Sequence, residues 1–229
     1  MILFCLDTSG PVAGVALMQD GAVRYEGMAV NAFIHSQSIL PMAEEAYRRA
    51  GLEMSDTDYF AVTVGPVSFT GVRIGVSTVK ALAHASGKPC IAVNALEAMG
   101  LGVQPFAGVI CPIQDARAGQ VYGAAFQGET LKRLLPDEPI KLEEYLEKAA
   151  AFGQPMLFLG DGMPVHREAI QKILGERVQF APAHLAFLRP AAAAFLAWNR
   201  MDQAVDYKSL SPLYLRPPQA ERQKNLRPL

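Results

Sequence analysis

The sequence predicts an α/β protein made of two copies of one βββαβαβ lobe. Two observations support the duplication. Apolar strand-like runs and amphipathic helical stretches follow one another in the same order in both halves of the chain. Asp7 and Asp115, which end the first apolar run of each half, are 108 residues apart, and the turn residues Gly21 and Gly128 are 107 apart. We therefore expect two sheets that meet across a cleft.

The repeat also sets the expected domain boundaries. We expect an N-terminal lobe over residues 1–103 and a C-terminal lobe over 104–215. The predicted boundary is Gln104-Pro105-Phe106, and a polar, proline-bearing tail covers 216–229.

The first half opens with three apolar runs. The second and third are joined by Gln19-Asp20-Gly21, which is typical of a hairpin turn because Asp-Gly tolerates positive φ. Apolar residues at helical spacing then indicate a helix, with Pro41 in its first turn and Gly51 after its end. The predicted elements of this half are strands over 2–7, 12–18, 23–28, 60–64 and 90–94, and helices from 36 or 38 to 50 and over 70–86.

The strand at 60–64 and the helix after it form the stretch around which the first lobe is organised. Gly65-Pro66 breaks the strand, because glycine tolerates any φ and proline removes a hydrogen-bond donor. The helix is expected to begin at about Ser68, and either Ser68 or Thr70 would cap its first turn.

Two glycines in this helix indicate a close neighbour. Gly71 and Gly75 are four residues apart and therefore lie on one helical face. Each glycine costs about 1 kcal/mol relative to alanine in a helix interior, so the pair suggests that another backbone packs closely. That backbone belongs either to the chain's own sheet or to a partner protein, and the sequence leaves both open. The polar side chains form a separate narrow stripe: Arg73, Ser77, Lys80 and His84.

The second half repeats this pattern with different residues. Its first strand ends at Asp115, and a turn at Gln127-Gly128 joins its second and third strands. The predicted elements are strands over 109–113, 121–126, 131–135, 156–159 and 178–180, and helices over 142–151, 165–174 and 190–201.

The composition predicts a soluble globular protein of the cytoplasm. The chain has 229 residues, of which 51% are hydrophobic, and a net charge of −1, so it lacks the basic footprint of a strong, independent nucleic-acid binder. Residues 1–6 lack the basic start and cleavage site of a signal peptide, and no apolar run reaches membrane-spanning length. Cys5, Cys90 and Cys111 are expected to be buried free thiols.

Several segments follow a pattern found in one protein family. The most specific is Gly65 to Gly75 (GPVSFTGVRIG), in which Val67 stands where the family usually has glycine. The other matching segments are 6–9, 35–36 with 40–41, 115–117 with 121–122, and 212–216. Together these segments span nearly the whole chain, and they resemble the bacterial TsaB family, also called YeaZ.

The resemblance implies an actin-like, sugar-kinase-like duplicated fold (ASKHA, RNase H-like) and a non-catalytic role in making threonylcarbamoyladenosine in tRNA. In that family the chemistry belongs to a catalytic paralogue, TsaD, and a small ATPase, TsaE, joins them. Family members pair with TsaD, or with a second copy of themselves, through helices that correspond to 36–50 and 70–86 here, and they meet tRNA only through the complex. The residues implied at this interface are Ile39, Met42, Ala46, Gly71, Val72, Gly75, Val76 and Val79.

The resemblance also indicates where a metal site would lie. The catalytic paralogue binds its metal through His-x-x-x-His after the fifth strand, and Ala95 and Met99 stand at those positions here. Neither residue supplies a nitrogen ligand, so we expect no metal.

A nucleotide site is the second possibility that the fold suggests. Asp7, Thr8 and Ser9 precede Gly10 in a turn that could cradle phosphates through its backbone, whereas the bulky Arg117 interrupts the corresponding turn of the second half. We expect no resident cofactor, and a weak or shared ATP or ADP contact at the first turn stays open.

The alternative function is an ATP-dependent phosphotransferase or ATPase that works in the interlobe cleft. Asp7 and Asp115 could bind magnesium together, or each could accept amides within its own tight turn, which is the interpretation we favour. A G-x-S-x-G nucleophile elbow is absent from the sequence. The tail carries Arg222, Lys224 and Arg227 without interleaved aromatic residues, so it gives little indication of RNA binding.

Overall fold

The computed structural model describes residues 1–30, 35–67 and 69–216 and contains two five-stranded sheets. The expected cap Ser68 and nearly all of the expected tail, from 217 onward, lie outside these residues. The strands are β1 (Ile2–Asp7), β2 (Val12–Gln19), β3 (Ala22–Val30), β4 (Tyr59–Gly65), β5 (Cys90–Asn94), β6 (Val109–Asp115), β7 (Gln120–Gln127), β8 (Arg133–Lys141), β9 (Met156–Leu159) and β10 (Val178–Phe180). The helices are α1 (His35–Ala50), α2 (Phe69–Ser86), α3 (Ala95–Leu101), α4 (Leu142–Ala150), α5 (Gly162–Leu174) and α6 (Pro190–Trp198).

The two sheets have the same strand order, which confirms the predicted duplication. The first is ordered β3-β2-β1-β4-β5, and the second is ordered β8-β7-β6-β9-β10. In each, three antiparallel strands continue into two parallel ones. Asp7 and Asp115 are the last residues of the equivalent strands β1 and β6.

Three elements differ from the sequence-based prediction. Helix α3 was not predicted, because its apolar residues directly continue the apolar strand β5. Strand β8 was expected at 131–135 but extends to Lys141 despite two prolines, which an edge strand tolerates on its unpaired side. Helix α6 ends at Trp198 instead of continuing to residue 201.

Helix α6 and the residues after it, up to Val205, pack on the first sheet, although the sequence assigned them to the second lobe. Helix α6 contacts β1 and β2, and Val205 forms an antiparallel bridge with Cys90 at the edge of the first sheet. One buried apolar cluster contains the first sheet, α3 and α6, together with Ile110 and Phe126 of the second sheet. The two lobes therefore share a continuous core.

A partly buried ion network also joins the lobes. Arg200, which follows α6, forms a two-pronged pair with Glu97 of α3. Arg133 of β8 lies 3.9 Å from the Glu97 carboxylate and pairs with Asp137, which accepts a hydrogen bond from Asn94. Because these residues come from both lobes, the network restrains their relative movement.

All three cysteines are buried and free, as predicted. Burial raises the pKa of the Cys90 thiol to about 11, so it carries no thiolate character at neutral pH. Within the described ranges 1–30, 35–67 and 69–216, no helix is both long and apolar enough to cross a membrane.

Candidate functional site

Helix α2 packs directly against the first strand of its own lobe. The Thr8 hydroxyl donates a hydrogen bond of 2.8 Å to the Gly71 carbonyl. A Cβ atom on Gly71 would lie 2.1 Å from the Thr8 carbonyl oxygen, and one on Gly75 would lie 2.6 Å from Thr8 Oγ1. The close neighbour predicted for these glycines is therefore the chain's own sheet.

The residues that the resemblance implied at a partner interface are mostly buried within this chain. Met42 is half-buried, and the other seven belong to the interior: Ile39, Ala46, Gly71, Val72, Gly75, Val76 and Val79. Most of the residues that the resemblance implied therefore lie on the inward faces of the two helices. The opposite faces of α1 and α2 are the exposed ones.

Those opposite faces have a distinct character. On α2 the exposed centre is a stripe of small side chains at Thr70, Ser77 and Ala81. On α1, Leu40 is 46% exposed. The other exposed residues of α1 are Ser36, Gln37, Pro41, Glu44, Arg48 and Arg49.

The C-terminal segment, residues 205–216, borders the exposed stripe of α2. It contacts three of the polar side chains that the sequence placed on one stripe of α2. The Tyr207 ring lies against the His84 ring with the two planes tilted. The Leu210 carbonyl oxygen accepts a hydrogen bond from Lys80, and the Tyr214 hydroxyl oxygen accepts one from Arg73. Sequence reasoning missed this segment, because contacts between residues more than 120 positions apart leave no local pattern.

The turn after β1 holds a buried carboxyl group. Asp7 Oδ1 accepts hydrogen bonds from the Ser9 amide at 3.0 Å and from the Thr63 hydroxyl. Asp7 Oδ2 and Ser9 Oγ are buried, and within residues 1–30, 35–67 and 69–216 neither makes a hydrogen bond to a third residue. Burial raises the pKa of Asp7, which favours its neutral form. His35 Nε2 lies 2.9 Å from the Gly10 carbonyl and closes the turn from outside.

The corresponding turn of the second lobe is arranged differently. Asp115 Oδ1 accepts the Arg117 amide at 3.0 Å, so Asp115, like Asp7, accepts an amide within its own turn. The Asp115 amide donates to Asp161, whose pKa burial raises to about 6. A Cβ on Gly160 would lie 2.0 Å from the Ile113 carbonyl oxygen, so this glycine serves close backbone packing.

The two turns meet in a small pocket between the lobes. Its lining includes Asp7, Ser9, Gln114 and Asp161. The free volume is about 10 Å³, which is room for roughly one water molecule, whereas ligand pockets of drug size are about 300 Å³ or more.

The positions expected for metal ligands lie on α3. Ala95 and Met99 are buried, and the nearby Glu97 is occupied by Arg200. Across the parts of the chain that the structure describes, no group of three or more His, Cys, Asp or Glu side chains could hold a metal ion.

Comparison with known proteins agrees with these features. A family model described as "TsaD: tRNA N6-adenosine threonylcarbamoyltransferase" matches residues 30–224. The tRNA threonylcarbamoyladenosine biosynthesis protein TsaB of Bacillus subtilis is 34% identical over 223 residues, which is 96% of each chain.

Solved structures show the same relationship. A Pseudomonas aeruginosa protein described as similar to peptidase YeaZ superposes with a TM-score of 0.79 at 27% identity, covering 94% of this chain and 99% of that one. Component A of (R)-2-hydroxyglutaryl-CoA dehydratase from Acidaminococcus fermentans shares the actin-like, sugar-kinase-like fold, with a TM-score of 0.52 at 9% identity over 88% of this chain and 99% of that one. The chain therefore belongs to the TsaB (YeaZ) family of tRNA threonylcarbamoyladenosine biosynthesis proteins, within the wider family that the TsaD model describes.

Proposed function

We propose that this chain is a non-catalytic assembly subunit that docks a TsaD-type catalytic protein through the exposed faces of α1 and α2. The observation that carries the proposal is the exposed stripe of Thr70, Ser77 and Ala81 on α2. The opposite face of this helix is fully used by its own sheet, and small side chains on the exposed face let a second helix approach closely.

The kind of partner follows from the family match. Because this chain matches the TsaD model over residues 30–224, a TsaD-type protein has a homologous first lobe with two corresponding helices. Two such lobes can pair face to face about a local two-fold axis, and so can two copies of this chain. A specific interface of standard size buries about 1,600 Å² in total. In the proposed assembly a TsaE-type ATPase joins the pair, and tRNA is bound by the complex.

The non-catalytic assignment is supported by the interlobe pocket. Burial raises the pKa of Asp7, which would have to face a nucleotide and its magnesium ion, and its Oδ1 atom accepts the Ser9 amide within its own turn. The pocket volume of about 10 Å³ also leaves no space for a nucleotide while the lobes share their core. Any ATP or ADP contact would then be weak or shared with a partner.

A second candidate function is ATP hydrolysis or phosphotransfer after the cleft opens. The observation that favours it is the pair of buried polar atoms Asp7 Oδ2 and Ser9 Oγ, which make no hydrogen bond to a third residue within the described ranges of the chain. ATP turnover by the chain alone that is lost in Asp7→Ala would support this candidate. Absence of turnover in the wild-type chain would eliminate it.

The docking proposal is tested by binding and by threonylcarbamoyl transfer to tRNA in a reconstituted mixture. Ala81→Glu places a charge at the centre of the exposed α2 stripe, and glutamate keeps the helix stable. Ala183→Glu is the matched control, since Ala183 is exposed on the other lobe. We expect Ala81→Glu to abolish complex formation and product, and the control to retain both. Normal complex formation by Ala81→Glu, or product without this chain, would contradict the proposal.

A further inference from the structure

The C-terminal segment and α2 together form a surface beside the stripe of Thr70, Ser77 and Ala81 on which the docking proposal rests. Residues 207–214 run antiparallel to α2, since Tyr207 lies against His84 near the end of the helix and Tyr214 against Arg73 near its start. Between Arg73 and His84 the helix rises about 17 Å, close to the axial length of five stacked nucleotides at about 3.4 Å each.

The backbone of this segment is fixed at three points. Val205 and Cys90 exchange two hydrogen bonds of 2.8 Å, and the Leu213 amide donates to the Val64 carbonyl at 2.7 Å. The third point lies between them, where the Leu210 side chain is 1% exposed and packs in the buried apolar cluster that contains the first sheet. Side chains that project from the segment therefore have defined positions.

Those side chains alternate between aromatic rings and cations. Lys208 Nζ lies 5.7 Å from the centre of the Tyr207 ring, and the Arg73 guanidinium lies 5.6 Å from that of Tyr214. Arg216 lies 5.6 Å from the centre of the Tyr122 ring on β7, so the surface continues onto the second lobe. Tyr214 is 43% exposed.

The charge of this surface is positive. Lys80 is held 3.1 Å from the Leu210 carbonyl oxygen, a neutral acceptor. Among the ion pairs recorded between described residues, none involves Lys80, Lys208 or Arg216. The acidic residue of the segment, Asp206, accepts the Lys208 amide within its own turn.

We propose that this basic–aromatic ridge, formed by Arg73, Lys80, Tyr207, Lys208, Tyr214 and Arg216, contacts RNA. Cations spaced along a groove follow the phosphates of a strand, and partly exposed rings stack on its unpaired bases. The match of charge favours RNA over a protein partner. The net charge of −1 makes this a local contact to RNA that the assembly already holds, so the inference rests on the proposed function.

The test uses the full chain in a preassembled complex with a TsaD-type protein, with a tRNA transcript as the probe. The affinity for tRNA is measured over a range of salt concentrations for three proteins: the wild type, a ridge variant and a control variant. The ridge variant combines Lys208→Gln and Arg216→Gln. The control combines Lys132→Gln and Lys172→Gln at exposed positions of the second lobe. We expect the ridge variant to reduce the slope of log affinity against log salt by about 1.4, or about 0.7 per cation, and the control to leave it unchanged.

The aromatic contribution is tested separately at Tyr214. We expect Tyr214→Leu to weaken tRNA binding about fivefold or more, because one stacked base is lost, and Tyr214→Phe to restore most of it. Unchanged affinity and salt slope in an intact complex would overturn the proposal. Weaker assembly of the complex with unchanged tRNA affinity would also overturn it, by assigning the ridge to a protein partner.

To separate the RNA-contact proposal from the docking proposal, the charge variants and the Tyr214 variants are also measured for tRNA binding by the isolated chain at low salt. Failure of the wild-type complex to form would refute the docking proposal. The same difference between ridge and control variants is then expected for the weaker binding of the isolated chain. Equal binding by both variants would refute the ridge whether or not a complex forms.

Discussion

Thr8 and Gly71 are in contact through their backbones as well as through a side chain. The Thr8 hydroxyl donates a hydrogen bond of 2.8 Å to the Gly71 carbonyl oxygen. A Cβ atom on residue 71 would lie only 2.1 Å from the Thr8 carbonyl oxygen. This relationship fixes α2 on the end of β1, immediately beside the Asp7 turn. The glycines are therefore required by the fold of the single chain, and the docking face must be sought on the other side of the helix.

Gly71→Ala tests this relationship, because two effects predict opposite signs. Helix propensity alone would make alanine more stabilising by about 1 kcal/mol. The Thr8 carbonyl is backbone and cannot move away freely, so we expect a net loss of about 1–3 kcal/mol in the free energy of unfolding. Urea unfolding measures the change, and Ser77→Ala on the exposed face is the control. A stabilised Gly71→Ala chain would contradict the packing.

Asp161 should make the protein less stable as the pH rises from about 4 to about 6. Its pKa is near 6 in the folded chain and near 3.8 when unfolded, so the folded state holds the proton more tightly. Below the unfolded-state pKa, the proton makes its full contribution to the free energy of unfolding. This contribution is lost as the pH rises through the folded-state pKa, and the total loss is about 3 kcal/mol.

We therefore expect Asp161→Asn to be more stable than wild type at pH 7 and to show little advantage at pH 4. The amide oxygen can still accept the hydrogen bond from the Asp115 amide. Urea unfolding at several pH values measures the difference. Asp7, whose pKa burial also raises, contributes with the same sign and remains in both chains. An advantage of Asp161→Asn that does not grow between pH 4 and pH 6 would contradict the assignment.

Glu97 should stabilise the joined lobes more than a surface carboxylate does. Its side chain is 15% exposed and faces Arg200 and Arg133, so Glu97→Ala removes the counter-ion of the partly buried Arg200 and a longer contact to Arg133, which keeps its pair with Asp137. We expect a loss of about 2 kcal/mol, below the 3–5 kcal/mol found for fully buried pairs.

The control for this substitution is Glu45→Ala, since Glu45 pairs with Arg48 and Arg49 in an exposed position. Exposed pairs contribute little, so the control should change stability much less. Hydrogen exchange at α3 and β8 supplies a second measurement, because loosening of the lobes should expose amides there. Equal effects of the two substitutions would argue against an interlobe role for Glu97.

The sequence predicted the elements of both sheets because each has its own periodicity, but it could not resolve contacts between distant residues. Helix α3 did have a local signal, since Asn94 accepts the Glu97 amide as an N-terminal cap. For the glycines, the pattern showed that a backbone must approach but not whose backbone it is. The predicted strand at 131–135 stopped short of the two prolines of β8, although pairing along one edge of this strand leaves its other side free.

The C-terminal segment depends on Leu210 as its buried anchor. Leu210→Ala removes a side chain that is 1% exposed, and such a cavity costs about 2–5 kcal/mol. We expect the loss in urea unfolding and faster hydrogen exchange at the Cys90 amide, which donates to Val205. Leu213→Ala is the control, because Leu213 is 39% exposed and its amide bond to Val64 is unaffected. If Leu210→Ala matched the control in both measurements, the segment would not be anchored to the first core, and the ridge on its outer side would lose its fixed geometry.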